Sequence, residues 1–331
     1  MVSIKDVAKQ AGVAISTVSK VVNGYPNVSE ATKKKVNAAI EELNFVPNAV
    51  ASALSSKQSA RVALIINLNQ QTQAIDEIDM QYLSGAIRQA RELNLDVQTV
   101  FFSMIQDKTL EEITRDLRSQ NIGGVIIYGL SKDDKVLHRL IQSQNFKTVV
   151  IDSPMVNPNT SSVWIDQERA QYEVAKVTLE SNPTAVNNVL YLAGKRNGYV
   201  TDERTKGMRR LAEEKGLKLT IHYGEFSELR ARELTFRYGR NSDAIVCASD
   251  LMAIGAMKAL TEMNVYHPVC GFDGITLMGY VGKQMNTVRQ DFNHVSAEAV
   301  KEVALLLGGM EGRNVVLDYQ IVRLKYLDII C

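Results

Sequence analysis

The stretch Ile4–Gly24, IKDVAKQAGVAISTVSKVVNG, restricts the fold of this chain more than any other. Ile4, Val7, Ala8 and Ala11 recur at i, i+3, i+4 and i+7, the spacing of one helix face. Gly12 then ends that helix, because glycine tolerates the positive φ of a helix C-terminus. A second short helix is predicted from about Ile15. Val18, Val21 and Val22 cluster on one side of it. Ser16, Ser19 and Lys20 fall on the other, with Ile15 at the flank. Two short helices joined by a glycine turn, the second with a polar and basic outer face, are the helix-turn-helix layout. In that layout the second helix enters the DNA major groove and its first residues meet base edges. A small helical packing unit has the same pattern, so the spacing alone does not decide between the two.

A third helix is predicted from about Glu30 to Leu43, capped by Ser29 and presenting Val36, Ala39, Ile40 and Leu43 inward. Pro47 stops it. Charge is uneven along the 331 residues. The first 58 carry seven lysines against four acids, whereas the whole chain is only +1. A basic head on a near-neutral body suits nucleic-acid contact at one end. Lys33, Lys34 and Lys35 could touch phosphate or form a solvated face. The segment Asn48–Ser56 favours helix by composition, but it is too short to be stable alone in water.

From Arg61 the texture changes. Apolar runs such as VALIINL, GGVIIYG and FKTVVIDS alternate with amphipathic stretches near 79–93, 109–119 and 133–144. After Trp164 the rhythm restarts, with helices expected near 167–181, 203–215, 227–238, 250–263 and 294–308. Repeated β-α units predict parallel sheets covered by helices on both faces. Cys247, Cys270 and Cys331 make an odd count that fits a reducing cytoplasm, with the first two in strand-like core runs. No export signal is evident, and no apolar run approaches the roughly 20 residues of a membrane span. The phosphate-cradling, zinc-hydrolase and serine-hydrolase motifs GxxxxGK[ST], HExxH and GxSxG do not occur.

Ligands of open α/β sheets bind beyond the carboxyl ends of the strands. The polar residues that follow the apolar runs include Asp152, Arg204, Glu225, Ser249, Asp250 and Asp273. Phe226 or Trp164 could cover an apolar sugar face there. Carboxylates accept hydrogen bonds from adjacent hydroxyls and arginine donates charge-assisted ones, which suits a neutral polyhydroxy ligand. Asp250, directly before LMAIGAM, reads more naturally as a helix N-cap than as a ligand. Arg204 could equally be a surface ion pair, and Trp164 a core residue.

The opening stretch resembles the LacI/GalR family of bacterial transcription regulators, whose pattern is close to IKDVAxxAGVSxxTVSRVLN. Ala14 replaces a capping serine, which should cost about 1 kcal/mol of helix stability. Lys20 replaces the commoner arginine and exchanges a bidentate grip for a point charge. The likeness continues through RTKG at 204–207, CASDLMAIGAMKAL with Ser249 for the usual asparagine, GFDG ending near Asp273, and NTVRQDF. It implies that Ile15, Ser16, Thr17, Ser19, Lys20 and Asn23 contact operator DNA, and that Leu54 of a hinge helix wedges into the minor groove. It further implies that Tyr128, Asp152, Trp164, Arg204, Phe226, Ser249, Asp273 and Phe292 surround an effector.

The fold expected from the resemblance is an N-terminal all-α helix-turn-helix domain plus an α/β core of two doubly wound parallel-sheet subdomains, similar to periplasmic binding proteins. Residues 1–46 would form the DNA-binding domain, 47–60 the hinge helix and linker, and 61–331 the core. One subdomain would span about 61–161 and 289–316, the other about 162–288 and 317–331. The function implied is a cytoplasmic, homodimeric repressor of pseudo-palindromic double-stranded operators, with no cofactor and no catalysis, whose DNA affinity answers to a sugar or sugar phosphate. Dimer contact is expected through the 79–93 helix region. Alternatives are a regulator of the same fold that answers to a purine, a nucleoside or a phosphocarrier protein, and a two-lobed solute-binding receptor.

Overall fold

The computed structural model describes residues 4–22, 28–43, 61–67, 77–281 and 284–323. Asn23, Leu54, Cys331 and the expected hinge at 47–60 lie outside them.

The head consists of α1 (Ile4–Ala11), α2 (Ile15–Val22) and α3 (Glu30–Glu42). Gly12 takes φ +67° between the first two, the left-handed geometry that a tight turn needs. Val7, Ala8, Val18, Val36 and Ala39 form the buried centre, and Val21, Ile40 and Leu43 pack around it. The apolar face of each helix is thus used against the other two. The Ser29 hydroxyl accepts the backbone N–H of Thr32 at 3.3 Å at the start of α3.

The core contains two six-stranded sheets. The first has the order β11-β5-β4-β3-β1-β2. Its strands are β1 (Arg61–Ile66), β2 (Asp96–Phe101), β3 (Ile122–Ile127), β4 (Lys147–Ile151), β5 (Thr160–Ile165) and β11 (Asn314–Leu317), all parallel. The second has the order β12-β10-β9-β8-β6-β7. It is built from β6 (Asn188–Ala193), β7 (Lys218–Tyr223), β8 (Ala244–Cys247), β9 (Val269–Cys270), β10 (Asn286–Arg289) and β12 (Gln320–Arg323). Only β12 runs antiparallel there.

Helices cover both faces of the first sheet: α4 (Glu77–Glu92) and α11 (Phe292–Leu307) on one side, α5 (Leu110–Ser119) and α6 (Lys135–Ser143) on the other. The period-2 geometry of a strand explains this. Val62, Leu64 and Ile66 enter one apolar cluster, while Ala63 and Ile65 enter the opposite one. Around the second sheet lie α7 (Gln167–Glu180), α8 (Tyr199–Lys215), α9 (Glu228–Tyr238) and α10 (Asp250–Glu262).

The chain passes between lobes three times: from β5 into α7, from β10 into α11, and from β11 into β12. All of β5 pairs within the first sheet, so that lobe continues to Ile165, past the limit near 161 expected from the sequence. Helix α8 also starts earlier than expected, at Tyr199. Its first turn faces the other lobe, so that turn shows no core stripe in the sequence.

Candidate ligand cavity and nucleic-acid interface

A cavity of about 310 Å³ lies between the lobes. Each sheet reverses its strand order once, between β1 and β3 and between β6 and β8. The cavity opens at these two switch points, where ligands of doubly wound sheets bind. Asn67 follows β1 and Tyr128 follows β3 on its first-lobe wall. Lys195 follows β6 and Ser249 follows β8 on the second.

Three residues that line this space have left-handed backbones, Asp152 (φ 57°), Phe226 (56°) and Asp273 (119°), as does Glu225 (58°) beside Phe226. Such conformations cost on the order of 1–3 kcal/mol each and cluster at functional sites. Here they turn the chain sharply at three strand ends.

The charged centre is compact. The Arg204 side chain is 5% exposed, with its Nη1 3.6 Å from Asp273 Oδ1. Its Nε donates to Gln167 Oε1 at 2.8 Å, and Nη1 donates to the Ala248 carbonyl. The guanidinium lies over the Phe272 ring, 3.6 Å from its centroid. Gln167 Nε2 in turn donates to Asp152 Oδ1 at 2.8 Å. Burial pushes the Asp152 carboxyl above its ordinary range, against the opposing pull of Arg204, of the Gln167 N–H and of the Tyr82 hydroxyl. Gln290 Nε2 reaches Asp273 Oδ1 at 3.5 Å.

Motif RTKG has a mechanical reason. One turn after Arg204, a Cβ on Gly207 would stand 2.2 Å from the Glu168 carbonyl oxygen. Only glycine lets α8 lie close enough to α7 for the guanidinium to reach Gln167.

An aromatic wall completes the first-lobe side. The Tyr82 ring lies 4.9 Å from that of Tyr128 and 5.3 Å, edge-on, from that of Phe292. The Tyr128 hydroxyl shares a 2.6 Å hydrogen bond with Ser296. Burial raises the Tyr82 phenol well above its usual value, and Asp152 adds to this, so it stays a neutral donor. Across the space, Phe226 packs on Gly194, where a Cβ would meet its ring at 2.1 Å.

Of the eight effector residues suggested by the sequence, Tyr128, Asp152, Arg204, Phe226, Ser249, Asp273 and Phe292 border this one cavity. Trp164 does not. On β5, Val163 and Ile165 turn to the cores, so Trp164 projects from the opposite face, beside Val316 of β11. Its indole N–H is buried without a hydrogen-bond partner among the described residues.

The helix cap expected of Asp250 is supplied by Ser249, which also borders the cavity. The Ser249 hydroxyl caps α10 by accepting the Met252 N–H at 3.3 Å. Asp250 is fully buried, and its Oδ2 accepts the Gly274 and Ile275 N–H groups at 2.8 and 2.9 Å. Oδ1 accepts the Thr287 hydroxyl at 2.6 Å. Asp250 therefore shapes the loop that carries Asp273.

Lys195, Gln290 and Asn67 also line the cavity. Each follows a strand, so the strand-end rule could have found them, although they are not among the residues expected from the sequence. Tyr82 and Gln167 sit on helices, where no such rule applies. Contacts between lobes flank the mouth. Glu77 takes the Thr276 N–H and hydroxyl at 2.9 and 2.7 Å. On the other side Ser131 bridges to Gly198, and Lys132 pairs with Asp202.

In the head, Ile15, Ser16 and Lys20 are exposed, and Thr17 and Ser19 are half-buried. Ile15 is 45% exposed, a large aliphatic side chain on the outer face of a helix whose inner face is fully used. Lys33 is engaged with Glu30 at 2.7 Å, while Lys34 and Lys35 are exposed.

Two family descriptions match the chain: "Bacterial regulatory proteins, lacI family" over residues 3–48, and "Periplasmic binding protein-like domain" over residues 184–323. The lacI-family match covers the head, and the periplasmic-binding-protein-like match covers much of the core. The HTH-type transcriptional regulator RegA of Clostridium saccharobutylicum is 27% identical over 336 residues, covering 97% of each chain. A complex of the transcriptional regulator CelR with cellobiose aligns with TM-score 0.70 and 25% identity, over 98% of this chain and 99% of that one. The lac repressor dimer bound to operator and the anti-inducer ONPF aligns with TM-score 0.67 and 25% identity, over 98% of both. These lacI-family relatives are regulators. Among the described residues no helix is long and apolar enough to cross a membrane, and no cluster of acids, histidines or cysteines could hold a metal ion.

Proposed function

We propose that this chain is a dimeric, operator-binding transcription regulator of the lacI family, a repressor in its basic sense, whose DNA affinity is set by a neutral sugar held between the lobes. Residues 1–46 read DNA, 47–60 couple the head to the core, and 61–331 bind the sugar. The observation that carries this reading is the convergence of Arg204, Asp152 and Asp273, from both lobes, on one cavity with aromatic walls. Neighbouring sugar hydroxyls offer donors to the carboxylates and acceptors to the guanidinium. Phe226, Tyr82 and Phe292 supply flat faces for the ring C–H surface.

Charge favours a neutral sugar over a sugar phosphate. Glu77, Asp79, Asp152 and Asp273 line the space against Arg204 and Lys195, and Arg204 is already paired with Asp273. A dianion would meet more acid than base there. The Ser249 hydroxyl is occupied as a helix cap, which supports binding rather than nucleophilic chemistry. A regulator of chromosomal operators works in the cytoplasm.

The control is a difference in ligand affinity between two lobe arrangements, which the first lobes of a dimer convey to the heads. A thermal-shift panel of neutral sugars, their phosphates and nucleobases tests the ligand class. Neutral sugars should raise the melting temperature and phosphates should not; a response to nucleobases alone would favour the purine variant of the family.

Two predictions arise here. Lys20→Ala should lower the salt dependence of operator binding, log K against log salt, by about 1 per subunit, measured by fluorescence anisotropy. Gly194→Ala should drive the Phe226 ring from its seat and weaken sugar binding roughly tenfold, the equivalent of about 1.4 kcal/mol, measured calorimetrically.

A further inference from the structure

The side chains that meet the cavity are joined by one that does not. Gln167 is 1% exposed and stands behind the cavity wall, at the first position of α7 where the chain has just entered the second lobe. Its amide N–H donates to Asp152, which ends β4 in the first lobe. Its amide oxygen accepts from Arg204, which rises from α8 in the second. The orientation is forced, because a reversed amide would set N–H against guanidinium and oxygen against carboxylate.

We propose that Gln167 is the positioning residue of this cavity, a neutral strut that fixes the Asp152 carboxylate against the Arg204 guanidinium across the lobe junction. The inference rests on the reading of the cavity as a ligand site. Neither charged group is free to choose its own place. Arg204 is divided between Gln167, the Ala248 carbonyl and Asp273, and Asp152 is half-buried beside Tyr82. An uncharged bridge holds both without adding to the charge of a nearly dry site, where an uncompensated ion is costly.

A carboxylate in place of this amide would face Asp152 from β4, Arg204 from α8, and Asp273 behind the guanidinium. The phenol of Tyr82 on α4 adjoins Asp152, and Tyr191 on β6 adjoins Arg204. Asp166, the preceding residue in the chain, is turned away to cap α7 through the Arg169 N–H. One guanidinium cannot balance three carboxylates crowded around it and largely shielded from water. The side chain of a Gln167→Glu variant would fit only when protonated. It would then donate O–H to Asp152 and accept from Arg204, as the amide does.

The sign follows from linkage. The proton of this acid is held more tightly in the folded chain than in the unfolded one. Native stability is therefore retained below the ordinary glutamate range and lost as pH rises towards the raised folded value. The limit for one proton is about tenfold in the unfolding equilibrium constant per pH unit.

The experiment is thermal unfolding of the full chain without ligand, from about pH 5 to about pH 8, where glutamate titration is otherwise complete. Wild type, Gln167→Glu and Gln167→Leu are compared. The glutamate variant should melt well below wild type at the alkaline end and close most of that gap towards the acid end. The leucine variant should keep a gap independent of pH. A glutamate variant that follows wild type throughout, keeps a constant gap like leucine, or stays unfolded at the acid end overturns the proposal. Failure of the ligand reading is distinguishable, because it would appear as wild type ignoring every sugar while this ligand-free profile still stands.

Discussion

Arg204→Ala is expected to yield a folded regulator that binds its operator and no longer responds to its sugar. The guanidinium bonds Gln167 and pairs with Asp273, and Lys195, which also lines the cavity, follows β6 and so does not stand in its place on α8. Losing a charge-assisted hydrogen bond costs about 1.5–3 kcal/mol, or roughly 10- to 150-fold in sugar affinity. A second effect adds to the first. The variant leaves Asp273, and behind Gln167 Asp152, without their cation. Breaking a buried pair from one side typically costs about 3–5 kcal/mol of stability. Circular dichroism must therefore accompany the binding measurement. Asp273→Asn provides the complementary case, because it keeps the shape and removes the charge. Sugar titrations that match wild type in both variants would remove the Arg204–Asp273 centre from the account.

Asp250→Ala is expected to have a large effect on stability. The carboxylate is completely buried and held by three neutral donors: two backbone N–H groups of the 273–275 loop and the Thr287 hydroxyl. Burial, and then nearby Asp273, push its carboxyl well above the ordinary range, while those donors oppose the rise. Alanine leaves all three donors unsatisfied at about 1–3 kcal/mol each. The second lobe should lose on the order of 3 kcal/mol or more, visible as an earlier melting transition. Its sugar affinity should fall as well, because the loop carries Asp273. If sugar affinity were kept while the lobe melted earlier, Asp250 would be a stabiliser with no part in shaping the site.

Much of this architecture was legible in the sequence because its signals are periodic. The unbroken apolar run in VALIINL is the two-faced burial of β1, and the 3.6-residue stripe of α3 is the floor of the head. The cavity was legible where its residues follow strands, as with Asp152, Ser249 and Asp273. It was not legible where the decisive neighbour is distant in sequence. Gln167 and Tyr82 look like ordinary helix residues until α7, α8 and α4 converge. Asp250 reads as the cap of α10 from the sequence, and only the 273–275 loop, some 24 residues on, decides that it turns inward and leaves the cap to Ser249. Trp164 was misplaced for a simpler reason. A one-residue shift along a strand changes the face, and the strand end alone does not tell which face the next lobe will cover.

The central claim is that occupancy of the cavity changes how strongly the head holds DNA. It is tested most directly by anisotropy of one labelled pseudo-palindromic duplex with the full chain at constant salt, titrated with the neutral sugar that most raises the melting temperature. The expected result is a saturable change in operator affinity in wild type and none in Arg204→Ala, whose sugar-free affinity stays that of wild type. An operator affinity in wild type that is the same at every sugar concentration, with the sugar shown to be bound, would contradict it.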